Sequence, residues 1–133
     1  MRILLTGATG YIGKRLLPVL LRDGHKVVCC VRDRRRFRIP LQFAGQYRVC
    51  EVDFAHPVAL PPEVEELDVA YFLIHSMSAS IRSFEKLEAT TARNFVAAID
   101  QTRVKQIVFL SGISGDGPMS AHMRSRRRVE SIL

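Results

Sequence analysis

The sequence predicts an α/β fold, a doubly wound parallel sheet of about five strands with helices on both faces. Three observations carry that expectation. Short apolar runs of strand length alternate with stretches of helical periodicity along the chain. The runs are continuously apolar, as strands buried on both faces are. A glycine-rich turn joins the first run to the first helical stretch.

Arg2–Thr6 (Arg-Ile-Leu-Leu-Thr) reads as the first strand, and Gly7, Gly10 and Gly13 follow it. Residues 11–23 carry Ile12, Leu16, Leu17, Val19, Leu20 and Leu21 at helical spacing, and Gly24 stops that helix. Pro18 lies inside the pattern and should bend the helix or shift its start. Lys26–Val31 is a second buried strand. Residues 34–46 are basic, are broken by Pro40 and Gly45, and read as a short helix and loop. Residues 47–52 form a third strand ending at Asp53. The three prolines of 57–67 allow one or two helical turns. Residues 68–74 are an intensely apolar fourth strand. Residues 81–101 give the clearest helix, with Phe84, Leu87, Ala92, Phe95, Val96, Ala98 and Ile99 on one stripe. Residues 104–110 are a fifth strand, 111–120 a loop, and 121–133 a final helix. Right-handed crossovers between such strands build a parallel sheet.

Length and composition set the frame. The 133 residues (15.0 kDa) suit one domain, residues 1–133. Apolar residues at 47% and charged residues at 25% supply a core and argue against a disordered or fibrous chain. The longest apolar runs, Val27–Val31 and Val69–Ile74, fall far short of the ~20 residues that span a bilayer, so no membrane span is expected. Met1-Arg2 leads straight into a strand without a cleavage-site pattern, which reads as a cytoplasmic chain. Val129–Leu133 is helical in character with no stop signal, so a fragment of a longer protein is expected. Cys29, Cys30 and Cys50 form no Cys-x-x-Cys pair. They read as small buried hydrophobes, and no metal site is expected.

The net charge of +7 sits in two places. Residues 32–38 hold five arginines and one aspartate, and residues 124–128 hold four more arginines. Outside them, 11 basic and 12 acidic residues nearly cancel. A nucleic-acid-binding surface would spread its charge and interleave aromatics, which argues against nucleic acid as a partner.

Thr6-Gly7-Ala8-Thr9-Gly10-Tyr11-Ile12-Gly13 gains its meaning from its place at the first strand-to-helix turn. Gly7 permits the tight turn, Gly10 lets a diphosphate approach the backbone, and Gly13 allows close helix packing. The first helical amides and the positive end of the helix dipole then face the diphosphate. The end of the second strand should reach the adenosine ribose. A carboxylate there suits the 2′-hydroxyl of NAD, and arginine suits the 2′-phosphate of NADP. Arg32, Asp33 and the arginines after them favour NADP over NAD, with Asp33 still able to serve NAD.

With these residues in view, the chain resembles the extended and atypical short-chain dehydrogenase/reductases. It is most similar to the NmrA-like and NAD-dependent epimerase/dehydratase branch, whose fold is of Rossmann type. The resemblance rests on Thr6–Gly13, Val31-Arg32-Asp33, Asp53-Phe54, Tyr71–Met77 and Val108–Gly112. It implies that Gly7, Ala8, Thr9, Gly10, Tyr11, Ile12 and Gly13 hold the cofactor, with Arg32 and Asp33 at the ribose. It places Asp53 at the adenine amino group and Phe54 beside the ring. Ile74 and His75 would line the cofactor at the fourth strand, and Leu110 and Ser111 would approach the nicotinamide. For Asp53 a turn cap is the competing reading, and for His75 a cap at the strand end.

The family's Tyr-x-x-x-Lys pattern is absent: Tyr11, Tyr47 and Tyr71 are followed four residues on by Arg15, Glu51 and His75. In the expected region stand His122 and Arg126, four apart and on one helix face. Histidine could exchange a proton and arginine could hold a phosphate, with Ser111 the best-placed hydroxyl and Ser114 and Asp116 nearby. A basic, solvated helix face competes with that reading. Two functions stand: an oxidoreductase or epimerase/dehydratase acting on an unknown small molecule, and a non-catalytic NAD(P)-binding redox sensor or assembly module of NmrA type. In this family the substrate pocket draws largely on chain beyond the fifth strand. An open five-stranded edge also invites self-association into a homo-oligomer.

Overall fold

The computed structural model describes residues 1–38, 41–64, 66–75, 81–113 and 118–133, with the backbone alone at 41, 63 and 81–83. Ser76, Met77, Ser114 and Asp116 lie outside the described residues. The strands are β1 (Arg2–Thr6), β2 (Lys26–Val31), β3 (Tyr47–Glu51), β4 (Val69–Phe72) and β5 (Gln106–Phe109). The α-helices are α1 (Tyr11–Arg22), α2 (Ile81–Ile99) and α3 (Ala121–Ile132). All neighbours pair in parallel in the order β3-β2-β1-β4-β5. The expected doubly wound sheet is therefore present, and its strand order reverses between β1 and β4.

The crossovers after β2 and β3 carry, among the described residues, short 3-10 turns at Arg34–Arg36, Leu41–Phe43 and Pro62–Val64, in keeping with the short helix and loop expected of 34–46 and the one or two turns expected of 57–67. The basic 34–38 stretch has no apolar stripe with which to dock a helix, and prolines interrupt 57–67. Pro18 leaves the start of α1 at Tyr11.

The sheet separates two apolar layers. One packs Leu17, Leu20 and Leu21 of α1 on Ile3, Leu5, Val27 and Cys29. The other packs Ala92, Phe95, Ala98 and Ile99 of α2 and Val129 of α3 on Leu4, Cys30, Ala70 and Phe72. Consecutive residues of one strand thus serve opposite layers, as the two-residue period requires. Cys29 and Cys30 are buried as expected, and burial pushes the Cys29 thiol up to about 12. Aromatic rings knit the second layer: Phe95 meets Phe72 at 4.9 Å and Phe54 at 5.6 Å between centroids.

Candidate functional site

A cleft of about 420 Å³ opens where the strand order reverses, beyond the carboxyl ends of β1, β2, β3 and β4. This is where open parallel sheets place their ligands. Gly7, Thr9, Gly10, Tyr11, Ile12 and Gly13 form one wall. Arg32, Asp53 and Phe54 lie toward the β2–β3 end, and Ile74 and His75 close it at β4.

The loop geometry follows from its glycines. Gly7 has φ +65°, and a Cβ on it would come 2.7 Å from the carbonyl oxygen of Leu73. At Gly13 a Cβ would lie 2.2 Å from the Gly7 oxygen and 2.7 Å from Ala8 Cα. The third glycine therefore lets the helix close on the loop itself, where the sequence pointed to packing on the sheet. Gly10 caps α1 without any side-chain hydrogen bond, and the first turn holds no acidic residue. The amides that a helix leaves unpaired at its start are thus open to an anion, which fits a diphosphate. The Thr6 hydroxyl anchors this arrangement by donating to the Tyr71 oxygen and accepting from Leu73 N, both at 3.0 Å. It ties β1 to β4 across the switch point.

The expected site residues divide. Ala8 is buried under the loop and belongs to the α1 layer. Asp33 turns away from the cleft lining to cap the 34–36 turn. Its carboxylate accepts from Arg35 N at 2.9 Å and from the Arg35 guanidinium at 3.0 and 3.1 Å. Those hydrogen bonds hold its carboxyl below the usual range. Asp53 lines the cleft and accepts from Ala55 N at 3.0 Å, the contact that a turn cap makes. Phe54 is only 2% exposed, and its carbonyl accepts from Asn94 Nδ2 at 2.9 Å, which straps the β3 loop to α2.

Ser111 donates to Glu130 at 3.4 Å and is not part of the cleft lining. Arg126 turns inward from the solvated face on which a basic helix would show it. It is 8% exposed, lies over the Phe109 ring at 4.3 Å and donates to the Leu110 oxygen. Burial pushes its guanidinium down from its ordinary value, and Glu88 opposes that shift. His122 reaches the site through its neighbours, with its ring 4.9 Å from that of His75 and stacked at 6.0 Å on Phe84.

Sequence reasoning missed Glu88 and Ser125. Glu88 is 4% exposed, accepts from Ser125 Oγ at 2.6 Å and pairs with His75 Nδ1 at 2.6 Å. One signal was available: Glu88 falls four residues from both Phe84 and Ala92, a carboxylate in an otherwise apolar stripe.

Comparison with known proteins agrees with this geometry. A family model described as NAD(P)H-binding matches residues 7–131. The photosystem II assembly factor Ycf39 of Synechocystis sp. is 23% identical over 111 residues, covering 84% of this chain and 33% of that protein. The divinyl chlorophyllide a 8-vinyl-reductase of Arabidopsis thaliana is 24% identical over 143 residues, covering 100% and 34%. The chain thus spans about a third of the length of these relatives. Among solved structures, a UDP-galactose 4-epimerase superposes with TM-score 0.75 at 18% identity, covering 99% of this chain and 50% of the other. The oxidoreductase ylbE of Lactococcus lactis gives 0.76 at 16%, covering 98% and 61%. The fold is the one that these two solved structures share, and the chain belongs to the NAD(P)H-binding family.

Proposed function

We infer that the cleft takes NADP in preference to NAD and serves an oxidoreductase or epimerase/dehydratase-type reaction on a small hydroxyl- or carbonyl-bearing molecule. The observation that carries this is the arrangement of one cleft, with an uncapped helix start at its centre and Arg32 toward the strand end where a ribose would lie. Gly10, Tyr11, Ile12 and Gly13 would hold the diphosphate, Arg32 the 2′-phosphate and Asp53 the adenine. When bound, the nicotinamide supplies a hydride acceptor or donor.

Arg32 is favoured because it lines the cleft, whereas Arg34, Arg35, Arg36 and Arg38 do not, and three of those four are otherwise occupied. Arg34 donates to the Val49 oxygen, Arg35 is held by Asp33, and Arg38 donates to Arg35 and Phe37 oxygens. Asp33, the residue that would accept from an NAD ribose, is committed to Arg35. A charge-assisted pair to phosphate contributes about 1.5–3 kcal/mol, roughly 10- to 100-fold in affinity. Arg32→Ala should therefore weaken NADPH binding by at least about tenfold and leave NADH within about threefold, read by titrating the fluorescence of the reduced nicotinamide. Equal losses for the two would defeat the 2′-phosphate assignment.

The second reading, a non-catalytic dinucleotide sensor or assembly module, draws on the missing Tyr-x-x-x-Lys pattern and on the likeness to an assembly factor. Dinucleotide binding without turnover on any hydroxyl or carbonyl substrate, in a chain of the relatives' length, would favour it.

A further inference from the structure

We propose that His75, held by Glu88, is the proton-transferring group of the cleft, with Nε2 as the atom that exchanges the proton with a substrate oxygen. This rests on the dinucleotide reading above and deepens it.

The observations are geometric. His75 lines the cleft at the end of β4, and its side chain is 30% exposed. Its Nδ1 lies 2.6 Å from Glu88 Oε1, and Glu88 is almost fully buried in α2. A buried carboxylate accepting from Nδ1–H fixes the tautomer and leaves the lone pair on Nε2. The second Glu88 oxygen accepts from Ser125 Oγ at 2.6 Å, so the carboxylate is fastened from α3 as well. Phe84 and His122, stacked on each other at 6.0 Å, each meet the His75 ring edge to face, at 5.8 Å and 4.9 Å. Among the described residues, the titratable and charged groups seen against this ring are Glu88 from α2 and His122 from α3, with Arg126 of α3 acting electrostatically on Glu88.

A buried carboxylate is costly unless it is paired and hydrogen-bonded. This one is spent on a histidine that reaches a ligand cleft, which is the pairing of a base with an orienting group. In the oxidising direction the O–H bond of a substrate hydroxyl breaks and an N–H bond forms at His75 Nε2. The electron pair left on oxygen becomes the carbonyl bond as the carbon gives up its hydride to the oxidised dinucleotide, the co-reactant. Reduction runs the same proton transfer backwards. Glu88 and Ser125 act as positioning residues. The proton role expected of His122 thereby moves to its neighbour.

The test is imidazole nitrogen NMR on the histidine-labelled 133-residue chain, at a pH where the rings are neutral, without ligand and with NADPH, NADH or adenosine 5′-diphosphate. The expected result is an Nδ1–H tautomer at His75 that converts toward Nε2–H in Glu88→Ala. The two dinucleotides should move the His75 resonances, whereas adenosine diphosphate should move the amides of Gly7–Gly13 and leave the His75 resonances in place. Should Glu88→Ala fail to fold, the measurements on the unaltered chain still decide. An Nε2–H tautomer in that chain overturns the proposal. So does a His75 that ignores a dinucleotide to which the glycine-loop amides respond, and the cofactor reading then stands. Loop amides that ignore all three ligands would overturn the cofactor reading and the proposal together.

Discussion

Gly13→Ala should lower dinucleotide affinity by more than about tenfold and the melting temperature by several degrees. The added Cβ would sit 2.2 Å from the Gly7 oxygen and 2.7 Å from Ala8 Cα, and both are backbone atoms with no rotamer to change. The helix must lift from the loop, or the loop must move toward Leu73. The second route is closed, because Gly7 is already too close to Leu73 to carry a Cβ, and Leu73 N is fixed by the Thr6 hydroxyl. Overpacking of this kind costs about 1–3 kcal/mol. It falls on the one turn whose amides have to converge on a diphosphate, so binding should suffer more than stability. NADPH titration and a thermal melt of the same sample check this. Unchanged affinity would mean that the loop is not where the phosphates bind.

Phe95→Ala should be the most destabilising single change in the chain. Phe95 is fully buried, and its ring touches Phe72 of β4 and Phe54 of the loop after β3. Truncating such a ring costs about 3–5 kcal/mol through lost transfer energy and the cavity left behind. A domain's whole stability is about 5–15 kcal/mol. A fall in melting temperature of about 10–20 °C is expected for a chain of this size, followed by circular dichroism. The effect should reach the site as well. Phe54 adjoins Asp53 in the cleft, and losing the Phe95 ring removes one of the supports of that loop, leaving the Asn94 hydrogen bond to the Phe54 carbonyl and the Asp53 turn to steady it. A variant melting within a few degrees of the parent would show that the second layer repacks and is not the rigid support described above.

Strand identities, the parallel sheet and the glycine turn were legible because each rests on local physics. A continuous apolar run has nowhere to go but a doubly covered strand, and Thr6–Gly13 has one geometry that suits three glycines at that spacing. In the two crossovers after β2 and β3 the short helical pieces were legible but not their bounds, since turns stabilised by capping, such as Asp33 with Arg35, leave no periodicity. The cleft wall was largely readable from Gly7–Gly13, Arg32, Asp53, Ile74 and His75. The Glu88 network was not. Its members come from positions 75, 88 and 125, brought together only by packing α2 and α3 on one face of the sheet. Arg126 misled for a related reason. A guanidinium in a basic run reads as solvated until a tertiary partner, here the Phe109 ring and the Leu110 carbonyl, draws it inward.

The adjacent thiols of β2 give the molecule a built-in pair of reporters. Cys29 is sealed under α1 and Cys30 under α2, and both resist ionisation, Cys29 through burial and Cys30 through its hydrogen bond with Cys50 together with burial. Alkylation rates measured by peptide mapping would therefore time the opening of each side of the sheet separately. A saturating dinucleotide should slow Cys30, which lines the cleft, more than Cys29, which does not.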